Sequence, residues 1–189
     1  MFKGTSASAG IGIGKAVIVE EAELVITRNE VADAEAEIQR FKGALEKTIA
    51  ATQKMADDLA SRVGEKEAEI MQGHMMLLSD PMLTGEIENS VKNDKVNCEF
   101  AIENVCNMYA DMFASMGDEL MQQRATDMRD IKVRMQRTLM GLESVDVSLL
   151  PKGSILVAKD LTPSMTAGIN PANVTGIVTE LGGRTSHSA

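Results

Sequence analysis

The sequence of 189 residues contains no tryptophan, one tyrosine and four phenylalanines, so its core cannot rest on large aromatic rings. Aliphatic side chains and the 14 methionines must fill the interior. Methionine suits irregular gaps and also surfaces that receive a partner. Cysteine occurs twice, as Cys98 and Cys106, in a stretch of helical character. At a rise of about 1.5 Å per residue the two lie ~12 Å apart, beyond disulfide reach. They read as reduced core thiols, which fits the cytoplasm. No apolar run approaches the ~20 residues that span a bilayer, and the start lacks the charge-then-apolar pattern of a secretory signal. Positive charge is in deficit. Nineteen basic residues against 28 acidic ones give a net charge of −9, with a pI of about 4.8. That balance disfavours nucleic acid and anionic membrane as partners and favours a protein with a positive face.

What is present divides into β-like ends and a helical middle. Ala16-Val17-Ile18-Val19 reads as a strand. From Asn29 the pattern becomes helical: Ile38, Phe41, Leu45, Thr48, Thr52, Met55, Leu59 and Val63 recur at steps of three and four, the seam of a long bundle helix that Gly64 ends. A second helix is expected from Glu65 to Leu78. A third starts at the cap-and-proline pair Asp80-Pro81 and runs to about Lys92. Asn97 is expected to cap a fourth, carrying Phe100, Val105, Met108, Met112 and Leu120. A fifth is expected over Thr126 to Leu142. After Pro151-Lys152-Gly153 the β pattern returns as Ser154–Ala158 and Val174–Val178, with Thr162–Gly168 leading into a short helix between them.

The chemistry concentrates at the end of the chain. Gly182-Gly183-Arg184-Thr185-Ser186-His187 follows an apolar strand, and such a strand–glycine-turn arrangement sets anions against free backbone N–H groups. Gly182 and Gly183 permit close backbone approach. Arg184 offers a forked donor to phosphate oxygens, and Thr185 and Ser186 add hydroxyls. An imidazole among them is suited to carry a phosphoryl group on nitrogen. His74 is the one other histidine. Positions three and four away hold Ile70, Met71, Leu77 and Leu78, none a metal ligand, so a packed or hydrogen-bonded histidine is expected, with contact to a protein partner as the alternative.

These residues resemble a known family. Gly182–His187 is similar to the phosphohistidine segment of enzyme I of the bacterial PEP-dependent sugar phosphotransferase system. Leu161-Thr162-Pro163-Ser164-Met165-Thr166, Gly73-His74-Met75-Met76-Leu77-Leu78, Arg124-Ala125-Thr126-Asp127-Met128-Arg129-Asp130-Ile131 and the opening Gly4–Ala16 resemble further segments of that family, in the same order. The resemblance implies an α+β chain of two subdomains. An α-helical, HPr-binding bundle (26–142) is inserted into a discontinuous α/β phosphohistidine (swivelling) domain (1–25 and 143–189). The joining of the first strand to the last ones is part of that implication. So is the reading of the chain as an amino-terminal fragment, since the family's α/β domain continues past this histidine.

The resemblance also implies roles. His187 would be the phosphorylated nucleophile, in a transfer from phosphoenolpyruvate (PEP) to the carrier protein HPr. Thr166 would orient it, with an ST-turn or capping role as the other reading of that residue. Arg184 would offset phosphoryl charge, or else be a solvated surface arginine. Glu65, Glu67, Ile70, Met76, Leu77 and Arg124 match the HPr-docking positions: an apolar patch with charge at its edge, or bundle core with a solvated rim. Met82 stands where the family often has an acidic residue. PEP and Mg2+ would be held by a barrel domain outside this sequence, with no metal in the fragment itself. The whole enzyme would be a cytoplasmic homodimer. Two other readings stand beside this one: a phosphohistidine domain of a related dikinase or PEP synthase, and a non-catalytic helical interaction module.

Overall fold

A computed structural model describes residues 4–181, the side chain of Glu67 excepted. They fall into two compact units. One takes the residues up to Ala22 and those from Val145 onward; the other is Glu23–Ser144.

The first unit is built on a parallel sheet in the order β1-β2-β3, from β1 (Lys15–Val19), β2 (Ser154–Ala158) and β3 (Val174–Thr179). Along β2 alternate residues Ser154, Leu156 and Ala158 are buried, the period-two signature of a pleated strand. A helix, α6 (Pro163–Gly168), joins β2 to β3, and a 3-10 turn, Val147–Leu149, precedes β2. Val19, Val147, Leu150, Leu156, Ala158 and Leu161 form this unit's apolar core. Thr162 caps α6 by accepting from Met165 N, and Pro163 fills the first helical position, where a missing N–H costs nothing.

The second unit is helical: α1 (Ala34–Arg62), α2 (Glu65–Leu78), α3 (Pro81–Asp94), α4 (Cys98–Ser115) and α5 (Glu119–Met140). Asp33, Asp80 and Asp118 cap α1, α3 and α5 by accepting from Ala36, Met82 and Leu120 N–H groups. Ile38, Phe41, Leu83, Ile87, Ile102, Met128, Ile131 and Met135 anchor the core. Among the described residues no helix is long and apolar enough to cross a membrane, and both cysteines are free and buried.

Three local expectations differ from the structure. The last helix begins at Glu119 rather than Thr126, because Gly117 takes a positive φ of 69° and Asp118 caps the next turn. Leu120 therefore belongs to α5, and the exposed Met108 and Met112 add little to the core. Asn97 occupies the start of α4 but makes no capping bond. Its amide oxygen accepts from Asn29 N and its nitrogen donates to Glu99. Glu37 of α1 takes over, accepting from Cys98 N at 2.8 Å, since a carboxylate at a helix N-terminus answers both the orphan donor and the dipole. Val63, placed in the α1 seam, lies beyond the helix and is 48% exposed; Gly64, at φ 128°, separates α1 from α2.

Candidate functional site

Each unit holds one group of the residues singled out from sequence. In the first unit Thr166 lies on α6, half-buried, its hydroxyl donating to Thr162 O at 3.0 Å. A hydroxyl that donates once still has lone pairs to accept. Thr162 and Ser164 sit within the same turn, their hydroxyls 3.1 Å apart. Gly182, Gly183, Arg184, Thr185, Ser186 and His187 lie outside the described residues.

In the second unit, α2 divides lengthwise. Met71, His74 and Leu78 are fully buried. At about 100° per residue, Ile70, Leu77, Gly73 and Met76 follow one another around the adjacent side. Ile70 is 39% and Met76 71% exposed, so neither is core; Leu77 is partly buried against the bundle. Glu65 is exposed at the first position of α2. The Glu67 side chain is not among the described groups.

Arg124 of α5 lies across the middle of this strip. A Cβ on Gly73 would fall 2.5 Å from Arg124 Nη1, so the glycine leaves the room that the guanidinium occupies. Arg124 Nη1 is 3.6 Å from Asp127 Oδ2, one turn along α5, and its side chain is 31% exposed. The other oxygen of Asp127 accepts from His74 Nε2 at 3.2 Å. His74 is 0% exposed, and its Nδ1 stands 4.0 Å from Asp130 Oδ2. The expected hydrogen-bonded histidine is present. Its carboxylate partner, Asp127, arrives from α5, 53 positions away, where no spacing rule along α2 could find it, while the buried Nδ1 makes no hydrogen bond to a described residue.

Asp127 and Asp130 begin a polar stripe on α5 that Arg134 continues. Arg134 donates to Thr52 of α1 at 2.7 Å, and burial pushes its pKa down. Thr48 of α1 meets Thr138 of α5 at 3.2 Å. One position round the helix, Met128, Ile131 and Met135 face the apolar core. Thus α5 packs apolar side chains on one flank and hydrogen-bonded polar ones on the next. Among the described residues no group of three or more His, Cys, Asp and Glu side chains could hold a metal ion; His74 is held by its bond to Asp127.

The family profile described as "PEP-utilising enzyme, N-terminal" matches residues 3–124. The chain belongs to the PEP-utilising enzymes. A second profile, "PEP-utilising enzyme, mobile domain", matches residues 150–189. Similar members of the family are the phosphoenolpyruvate-protein phosphotransferases of Listeria monocytogenes, 42% identical over 188 residues, and of Bacillus subtilis, 40% identical over 188 residues. Each alignment covers 100% of this chain and 33% of the relative, so the chain spans about a third of the length of the curated relatives it matches. A solution structure of an enzyme I protein (nEIt) is 37% identical with a TM-score of 0.88, covering 100% of this chain and 77% of the other. The structure described as "N-terminal domain of Enzyme 1 - Nitrogen" is 25% identical with a TM-score of 0.68, covering 96% of this chain and 75% of the other.

Proposed function

We propose that this chain is the amino-terminal portion of an enzyme I, a phosphoenolpyruvate-protein phosphotransferase that passes the phosphoryl group of PEP through His187 to the carrier HPr. The observation that carries the reading is family membership over both ends of the chain, 3–124 and 150–189, with Gly182–His187 inside the second match. In this reading the sheet unit is the phosphohistidine domain and the helical unit is the inserted HPr-binding domain. PEP and Mg2+ are assigned to a barrel domain outside this sequence, and the whole enzyme is assigned a homodimeric state and the cytoplasm.

A nitrogen of His187 attacks phosphorus, the P–O bond to PEP breaks, and enolpyruvate leaves. The P–N bond then breaks as the carrier takes the phosphoryl group. Such transfer depends chiefly on alignment and on stabilising charge over the phosphoryl oxygens. Arg184 supplies positive charge there, with Thr185, Ser186 and the N–H groups opened by Gly182 and Gly183 as donors. Thr166, whose hydroxyl already donates to Thr162 O, is suited to accept the other imidazole N–H and fix the tautomer. The face of α2 that carries the exposed Ile70 and Met76 and the partly buried Leu77 is assigned, with Glu65, Glu67 and Arg124, to carrier docking. The chain's negative charge favours a basic carrier face and speeds encounter.

The test uses the full-length enzyme with labelled PEP and Mg2+, followed by HPr. Acid-labile, base-stable label is expected on His187 and then on the carrier, and none on His187→Ala of unchanged helical content. Label that persists in His187→Ala overturns the assignment.

A further inference from the structure

The buried pair His74–Asp127 does not fit a purely packing role. A polar network inside a bundle costs desolvation and is often matched or bettered by apolar side chains of the same volume. Here the network has an outlet. Asp127 presents one oxygen to the buried His74 at 3.2 Å and the other, at 3.6 Å, to the partly exposed Arg124. A carboxylate oxygen only accepts, so His74 Nε2 is the donor, and that bond fixes the rotation of the Asp127 plane. With the plane fixed, the second oxygen points at the guanidinium. Gly73, the residue immediately before His74, closes the other side, because any Cβ there would meet Arg124 Nη1. Two consecutive residues of α2 thus act on one arginine of α5. Gly73 leaves the room, and His74 sets the anchor.

We propose that His74 is a positioning residue: through Asp127 it holds the Arg124 guanidinium against Gly73, so that its outward N–H groups are preset for an acceptor on the docking protein. A preset arginine loses less side-chain entropy on binding, and its planar fork fits a carboxylate, a phosphoryl group or a pair of backbone carbonyls. The acceptor therefore belongs to a protein that lays an oxygen-bearing segment across the apolar strip, between Ile70 and Met76. This rests on the assignment of carrier docking to that strip, and the experiment separates the two.

Two readouts are required. In the free chain, the Arg124 guanidinium is followed by NMR through rotation about its Nε–Cζ bond. Rotation is expected to be slow in the wild type, fast in Asp127→Asn and His74→Leu, and slow again in His74→Gln, whose amide still donates to Asp127. Equal rotation in the wild type and in a folded Asp127→Asn overturns the proposal, and so does His74→Gln behaving like His74→Leu. The second readout is HPr affinity by calorimetric titration. Asp127→Asn is expected to weaken binding about fivefold when Arg124 is present and not when it is alanine, a coupling of ordinary size for neighbouring residues. Equal weakening in both backgrounds means that Asp127 acts through the fold alone, and overturns the proposal. If Arg124→Ala leaves affinity unchanged while the guanidinium still depends on His74, the positioning stands and the docking role of Arg124 falls.

Discussion

Gly73→Ala and Gly14→Ala are the same replacement with opposite expected signs, and the difference lies in what the new methyl meets. At Gly73 the three nearest atoms all belong to the Arg124 guanidinium, at 2.5, 3.5 and 3.8 Å. The end of a flexible, 31% exposed side chain swings aside, and the loss is one loose ion pair of about 0.5 kcal/mol, because the buried Asp127 keeps its bond from His74. Against that, alanine is favoured over glycine inside a helix by about 0.8–1 kcal/mol. The net expectation is a gain of about 0.5 kcal/mol, together with weaker HPr binding because the guanidinium is displaced. At Gly14 the added Cβ would run into the carbonyl oxygen of Gly153, with Thr175 Oγ1 at 3.0 Å. Backbone cannot rotate away, and Lys15 N donates to that same Gly153 carbonyl at 3.1 Å. The start of β1 must lift off β2, at about 1–3 kcal/mol. Denaturant unfolding by far-UV circular dichroism reads the helical unit, and amide hydrogen exchange in β2 reads the sheet. A loss above about 1 kcal/mol in Gly73→Ala, or unchanged β2 protection in Gly14→Ala, would refute the reasoning.

Acid should unfold the helical unit along a specific route. The hydrogen bond from Arg40 holds the Glu37 carboxyl below its usual range despite some burial. For Glu99 and Glu103 burial alone would raise the pKa, but Arg40 and Asn97 on the first, and Gln136 and Lys132 on the second, outweigh it. Depressed carboxyls give stability that is fully present above their unfolded pKa of about 4.3 and lost as pH falls through the folded value. Denaturant midpoints should therefore hold steady from neutral pH to about 5 and decline below ~4, less steeply in Glu99→Gln; a flat profile down to pH ~3 would contradict this. Burial, the largest influence, pushes both Cys98 and Cys106 up to about 12. Alkylation by iodoacetamide should then proceed no faster than the helices open, whereas rapid labelling of the folded chain would count against the packing described. Met76→Asp, at a 71% exposed position, should change stability by less than about 0.5 kcal/mol while weakening HPr binding about tenfold. Unchanged affinity in a titration would place docking elsewhere.

The contrast between α1 and α4 shows which features a sequence makes legible. The three-and-four spacing of Ile38, Phe41, Thr48, Thr52 and Leu59 identifies the buried face of α1, because each of those side chains is placed by its own helix. Asp80-Pro81 likewise marks the start of α3, since cap and first turn are adjacent in sequence. The start of α4 is different. Asn97 is the right residue type in the right place, yet the donor goes to Glu37, 61 positions earlier, and a charged acceptor on a packed neighbour outcompetes a local amide. His74 follows the same logic with larger consequence. Its local spacing offers no metal ligand along α2. Its hydrogen-bond partner Asp127 and the neighbouring Asp130 lie three apart on α5 and so share one face. That pair was readable as a polar stripe, since Asp127, Asp130 and Arg134 repeat at helical spacing beside the apolar Met128, Ile131 and Met135. What spacing does not encode is which helix receives the stripe. A buried histidine with no local partner requires a hydrogen-bonding group from elsewhere, and here a helix with acidic residues at helical spacing, on a flank otherwise bound for the core, supplies it through Asp127.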